Sequence, residues 1–594
     1  MPLRKSVVLT PTHQDIFERP ASSIEQIIVE LRAYSYAAVI NVCSKLSITL
    51  NVEQRKLIEV QARIARDLLN DEHWENVLKA ERKEKKEDNR NPSIAIFHYV
   101  PVMMLLKLNL EYNTDGGEDI QTQEDREFIA SWLISLNEHF TATKELGTRT
   151  FEYRKEALRM FFSQQFLLVA EPDPFAHLIA RSEAMLGFVK ADNRLDCEAI
   201  FKDATGLTIE EHQQLTTLLL TGWKISGKEQ NLDEITVRSI HQYFSQTNVD
   251  ADIVEKYITL LSFTSDSYGD LQKGYSENAK ADPGHITNFL CFINKPLMRF
   301  GDNFMCVGVN YLALKLTEGV YRVVEDQLRS DDNKHNVLSQ MWGDAFEKYI
   351  HDRMDNMLGK SYFKNPPAKK GIETIDGLAD LKETVVLAEY KYSHWSYHAR
   401  LNGNRQDMKD FYYKLFRYRP MFEKKKGRKI AKKKGLGQIR DYFEKVQAGE
   451  YTPPVDLAGK KLLPLIVSGE ELPFDPLNRM YLEGFASSQH CFVKSEDALP
   501  FIVLSAEEIE ILESIVDKKG VDFLEQVLTR YSLMLDTERT KTLSLPDRPT
   551  SLRNELLNEN FQVPHSNFMH SQLDSVFGRA KKYFRKPTKG GNKL

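Results

Sequence analysis

The chain has 594 residues, 42% hydrophobic and 28% charged, with 80 Lys and Arg against 85 Asp and Glu for a net charge of −5. That length exceeds what one hydrophobic core serves and implies two or three domains, while the near balance of charge excludes a nucleic-acid partner argued from bulk charge alone. The five cysteines (Cys43, Cys197, Cys291, Cys306 and Cys491) form no CxxC pair, which excludes a disulfide framework and a zinc-ribbon spacing and fits a reducing compartment.

The opening MPLRKSVVLTPTHQDIFERP carries no apolar run of signal-peptide length, and the most apolar window, YVPVMMLL from Tyr99, is far shorter than the ~20 residues a bilayer needs. The expectation is a cytoplasmic protein with no membrane partner. Residues 1–330 read as a mainly α-helical domain. SSIEQIIVELRAYSYAAVINVCSKL has apolar residues at three- and four-residue spacing behind a Ser N-cap, with Glu25 near the capping-box position. The segments from Asn51, Arg126, Thr208 and Asp252 follow the same pattern, and KPLMRFGDNFMCVGV predicts a hairpin turning at Gly301-Asp302-Asn303. No chemistry can be named in this half.

The texture changes after residue 330. A helix over about 335–358 is followed by short strands near 372–380, 384–391, 462–468 and 501–505, with helices over about 396–423 and 436–448 among them. Strands alternating with helices predict an α/β domain over 331–535. Residues 536–594 form an extension whose end, GRAKKYFRKPTKGGNKL, is basic.

IDGLADLKETVVLAEYKYS, from Ile375 to Ser393, contains the site candidates. A two-residue turn at Lys382-Glu383 sets Leu378 opposite Leu387, Asp380 opposite Val385 and Asp376 opposite Glu389, with Cβ atoms of such pairs ~5 Å apart. Period-two alternation puts Lys391 on the face of Glu389. Two adjacent carboxylates repel unless a cation lies between them, and Mg²⁺ accepts one or two carboxylates while keeping waters and substrate phosphate as its other ligands. An E-x-K alone is most often a surface hairpin whose exposed pair is worth ~0–1 kcal/mol. Its surroundings separate this case from that one.

The hairpin, with Asp376 and a Glu389-x-Lys391 beyond it, resembles the PD-(D/E)xK nuclease superfamily. Upstream, MWGDAFEKYIHDRM looks like that family's first helix and offers Glu347 toward the metal. Downstream, GQIRDYFEKV holds Gln438 and Tyr442, the Q-xxx-Y pair of a subset of the family, one helical turn apart. The resemblance spans roughly 335 to 510. It departs from the family pattern at Ile375, where a Pro or Ser precedes the Asp, and Asp380 stays open as an alternative hairpin ligand.

The resemblance implies a restriction-endonuclease-like α/β core, a mixed sheet flanked by helices, behind the helical half. It implies a metal-dependent DNA nuclease with Mg²⁺ or Mn²⁺ held by Glu347, Asp376, Glu389 and the Tyr390 carbonyl. Asp376, Glu389, Lys391, Gln438 and Tyr442 would be the catalytic set. The helical half would sense a trigger, assemble subunits or regulate the nuclease, as in prokaryotic restriction or anti-phage effectors, with a homo-oligomer or a defence protein as partner. RNA stays open as the substrate, and so does a nuclease-fold binding protein without turnover.

The second signal is charge. KKKGRKIAKKK places Lys424, Lys425, Lys426, Arg428, Lys429, Lys432, Lys433 and Lys434 within eleven residues. Over residues 409–445, fourteen Lys and Arg stand against four Asp and Glu. Such a segment neutralises phosphates without reading sequence, although a solvated loop or a nuclear-import signal has the same composition. His394 and His398, four residues apart just after the hairpin, fit ordinary polar positions at a helix start better than a metal pair. GKS at 359–361 lacks the earlier Gly of a phosphate loop, since Met354 stands there.

Overall fold

The computed structural model describes residues 8–9, 11–52, 57–88, 93–94, 96–113, 117–141, 174–227, 236–245, 247–367, 374–392, 405–417, 423–425, 428–430, 433–469, 482–483, 486–487, 491, 498–536, 552, 556 and 566–580. The fold is mixed α/β, with two mixed sheets flanked by helices.

In the first half the helix behind Ser23 is shorter than its apolar spacing predicts. It runs Ile24–Leu31 and closes its capping box with Gln26 rather than Glu25. A separate helix, Tyr36–Val52, follows after a break at Tyr34. The break has a cause: Tyr34 pairs with Glu118, and a Cβ on Gly117 would lie 2.3 Å from the Tyr34 carbonyl carbon. Tyr99–Tyr112, with the most apolar window at its start, is a buried core helix. Among the described residues no helix is long and apolar enough to cross a membrane. The hairpin predicted around Gly301 forms from Leu297–Phe300 and Asn303–Cys306, and Gly301 has the left-handed φ of 56° that its turn requires. This hairpin belongs to a four-stranded sheet completed by Arg238–Ser239 and Ser262–Phe263. Those two-residue strands have no periodicity to betray them.

The second half opens at Asp331, whose side chain caps a helix over Asp332–Tyr362, kinked at Gly359. A five-stranded sheet follows, in spatial order Ile502–Ser505, Lys461–Ser468, Thr384–Lys391, Gly377–Asp380 and Phe363–Lys364. Gly377–Asp380 runs antiparallel to both of its neighbours, Phe363–Lys364 and Thr384–Lys391, and Lys461–Ser468 lies parallel to both Thr384–Lys391 and Ile502–Ser505. The parallel step requires a crossover, which the helices Arg405–Phe416 and Leu436–Gln447 occupy.

The central strand TVVLAEYK is enclosed on both faces, which explains its nearly unbroken apolar run. Val385 and Leu387 pack with Leu378, Tyr412, Ile439 and Tyr442 on the crossover side. Val386, Ala388 and Tyr390 pack with Phe346, Tyr349 and Ile350 on the other.

That second cluster continues across position 330 to Trp223, Tyr257 and Leu312 of the first half. A buried polar network reinforces the junction. Glu510, on the helix Ala506–Lys519, accepts from Arg181 Nε (2.7 Å) and Nη2 (2.8 Å), from the Tyr349 hydroxyl (2.7 Å) and lies 3.0 Å from His177 Nδ1. Arg353 Nη1 lies 3.2 Å from Glu513, which also accepts from the Ser566 hydroxyl at 3.2 Å. Ser566 precedes the terminal helix Asn567–Ala580, which packs back on Pro174–Ala191. Burial alone would raise the Glu510 carboxyl, but Arg181 and His177 outweigh it and hold it down to about 2.

Candidate functional site

Two of the three predicted pairings form, Leu378 with Leu387 and Asp380 with Val385, while Asp376 lies beyond the ladder rather than paired with Glu389; the Leu381 N–H donates to the Thr384 carbonyl at 2.9 Å across the two-residue turn. The ladder ends at Gly377–Ala388. One residue further, Asp376 donates its N–H to the Ala388 carbonyl at 3.1 Å. Its carboxylate Oδ2 accepts from the Tyr390 N–H at 2.7 Å. That bond fixes the Asp376 side chain over the end of the central strand.

Asp376 and Glu389 meet on Lys391. The ammonium lies 2.5 Å from Glu389 Oε2 and 3.4 Å from Asp376 Oδ2. Asp380 is elsewhere: near the turn, it pairs with Lys460 at 2.5 Å. Of the two hairpin aspartates, Asp376 alone therefore joins Glu389 and Lys391. Glu389 is 0% exposed, although a charged residue near a strand end is ordinarily solvated. The reason lies in the strand: Glu389 is the next inward position after Val385 and Leu387 on a fully covered face. Burial works against the Lys391 charge, but Glu389 and Asp376 outweigh it and hold the ammonium above its ordinary range.

Glu347 projects from the helix Asp332–Tyr362 at the same end of the sheet. Its outer part faces solvent, yet its carboxyl is pushed up to about 7, by desolvation first and the Asp376 carboxylate second, with Lys391 pulling the other way. Tyr390, whose carbonyl is the fourth predicted donor, is buried and stands in register with Val467 of the strand Lys461–Ser468.

These donors are hard oxygen ligands, of the kind that suits Mg²⁺ or Mn²⁺. Among the described residues no three His, Cys, Asp or Glu side chains come together at metal-binding distance. The Lys391 ammonium is the cation that the Asp376 and Glu389 carboxylates share.

Gln438 and Tyr442 lie on the helix Leu436–Gln447, against the Glu389 face of the central strand. Gln438 is buried, and its amide oxygen accepts from the Gly435 N–H at 2.9 Å, closing the first turn. Tyr442 packs against Tyr451 in a tilted arrangement with ring centroids 5.1 Å apart, and its hydroxyl is buried with no hydrogen-bond partner.

The basic segment is not the end of a long helix. The helix expected over 396–423 ends at Phe416, and Glu423–Lys425 pairs antiparallel with Arg428–Ile430, so that Lys425 faces Arg428 and Lys424 faces Lys429. The excursion leaves and rejoins the fold at one point, where Phe416 bridges Gly435 and Arg417 bridges Lys434. Gly435 is required there: its φ is 51°, and a Cβ would lie 2.1 Å from the Leu415 carbonyl oxygen. At the base, Asp441 takes Lys433 as an ion-pair partner and Lys445 at 2.7 Å. Lys426 and Lys432 lie outside the described residues, as do His394 and His398.

Two features are not legible in the sequence. Asp441 is there only one of the few acids in a basic stretch. Ser468 closes the strand KLLPLIVS in register with Lys391; a serine ending an apolar strand beside the E-x-K strand is the signal that could have found it. No family model, curated protein or solved structure matches the chain.

Proposed function

We propose that the chain is a divalent-metal-dependent DNA nuclease of the PD-(D/E)xK type, acting as an endonuclease. The observation that carries the reading is the convergence of Asp376 and Glu389 on a shared cation at the end of a central sheet strand. The mixed sheet with helices on both faces, entered from the Glu347 helix, supports it as well.

Asp376 and Glu389 would hold the ion, with Glu347 and the Tyr390 carbonyl as the further protein ligands. Bound Mg²⁺ or Mn²⁺ supplies Lewis acidity and a water of lowered pKa. The Tyr390 N–H keeps Asp376 aimed at the ion. Lys391, at the same strand end as both carboxylates, would orient the attacking water and offset charge developing on the phosphate. Gln438 acts through the turn at Gly435, from which the basic hairpin and the Tyr442 helix diverge. The hairpin's lysines and Arg428 neutralise backbone phosphates, giving salt-sensitive binding that is indifferent to sequence.

The test uses the purified full chain with plasmid, linear duplex, single-stranded DNA and RNA, in Mg²⁺, Mn²⁺ or EDTA. The expected result is nicking of plasmid with either metal and none with EDTA. A second reading, a nuclease-fold binding protein without turnover, draws on the ammonium already seated between the carboxylates. It predicts equal DNA binding with metal or EDTA and no cleavage of any substrate.

A further inference from the structure

Ser468 ends the strand Lys461–Ser468, and its register partner on the parallel central strand is Lys391. Register partners on adjacent strands stand about 4.8 Å apart and point to the same face. The pairing before it, Ile466 with Glu389, fixes which face: Ile466 packs in the cluster of Leu387 and Tyr442. Ser468, Lys391 and Glu389 therefore share one side of the sheet, at the carboxyl ends of two parallel strands, where open α/β sheets bind ligands.

The hydroxyl of Ser468 is fully buried and has no hydrogen-bond partner. Its neighbour on the other flank, Ser505, is already engaged, capping the helix Ala506–Lys519 and bonding Glu508. The backbone beyond Ser468 is tied to the same residue it faces, since the Gly469 N–H donates to the Lys391 carbonyl at 3.0 Å. Gly469 permits this approach, because a Cβ there would lie 2.7 Å from the Tyr392 ring. A buried hydroxyl left without a partner is unfavourable, so its place on the strand position in register with Lys391 calls for a role.

A bound divalent ion would supply that role. Were Asp376 and Glu389 to hold such an ion, the Lys391 ammonium would give up their two carboxylates as acceptors. It is largely buried and needs a replacement within reach of its own strand.

We propose that Ser468 is a positioning residue for Lys391: its hydroxyl accepts the ammonium when the carboxylates are taken by the metal, and so holds Lys391 beside the ion. The proposal rests on the nuclease reading above. It requires that Ser468 be silent in the metal-free protein and matter once metal is bound.

The experiment is Mn²⁺ titration by calorimetry of the full-length wild type, Ser468→Ala, Ser468→Thr, Lys391→Met and the Ser468→Ala/Lys391→Met double variant, with a thermal melt of each without metal. Ser468→Ala is expected to melt no lower than wild type, because the hydroxyl it removes bonds nothing, yet to bind Mn²⁺ about tenfold more weakly. Ser468→Thr, which keeps the hydroxyl, is expected to bind like wild type. In the Lys391→Met background the same Ser468→Ala change is expected to have no effect on Mn²⁺ affinity, the signature of a residue acting through Lys391. Equal Mn²⁺ affinity of wild type and Ser468→Ala overturns the assignment of Ser468 and leaves the nuclease reading standing. So does equal weakening by Ala and Thr, or an unchanged Ser468→Ala effect without Lys391. A wild type that binds no Mn²⁺ sinks the nuclease reading, and this inference with it.

Discussion

Glu389→Gln is expected to lower metal-dependent nicking by at least about a hundredfold while the protein stays folded. The substitution keeps the volume of a side chain that is 0% exposed and removes only its charge. With that charge goes one of the two anions that converge at the end of the strand, and Lys391 is left to Asp376, 3.4 Å away. Glutamine is the informative choice because the position is interior. Alanine would remove the same charge and also open a cavity in the interior, so lost activity could not be separated from lost packing. A nicking time course in Mn²⁺ beside a circular-dichroism melt checks the expectation. Wild-type nicking by a folded Glu389→Gln would remove Glu389 from the catalytic set.

The largest expected effect on stability lies elsewhere, at the junction of the two halves. Glu510→Gln is expected to destabilise the protein by about 3–5 kcal/mol at neutral pH, since it withdraws the one carboxylate that Arg181, His177 and Tyr349 all address. The pH dependence has a definite sign. The Glu510 carboxyl is held at about 2, below its ordinary 4.5. A carboxyl depressed in the folded state contributes stability that is fully present above pH 4.5 and is lost as pH falls through about 2. Wild type and variant should therefore differ most at neutral pH and approach one another between pH 4.5 and 2. Denaturant unfolding at pH 7 and pH 3 measures both gaps; a gap that is absent at pH 7, or that widens in acid, contradicts the assignment. The network joins the helix Pro174–Ala191 to the helix that carries Glu347, so its loss also loosens the helical half from the sheet.

Much of the second half was legible because its signals are local. The hairpin register followed from one turn and period-two alternation, and the strand and helix bounds near 384–391, 461–468 and 436–447 follow from apolar patterning alone. The choice between Asp376 and Asp380 was not legible. It depended on Lys460, which takes Asp380 from 80 residues away. The burial of Glu389 was hidden for the same kind of reason: a charged residue at a strand end looks solvated until the covering helix is in place. In the first half, long apolar spacing concealed the break at Tyr34, which is imposed by contact with Glu118, and the four-stranded sheet drew on two-residue strands too short for any period. The Arg181–Glu510 network joins residues 329 apart, and nothing in either local sequence announces it.

The central claim is that Asp376 and Glu389 grip one divalent ion, and anomalous diffraction from a Mn²⁺-soaked crystal of the full chain addresses it most directly. The predicted result is a single strong peak about 2.1 Å from carboxylate oxygens of both residues, with the Lys391 ammonium moved off Glu389. Saturating Mn²⁺ that leaves no peak there, with Lys391 still seated between the two carboxylates, would contradict it.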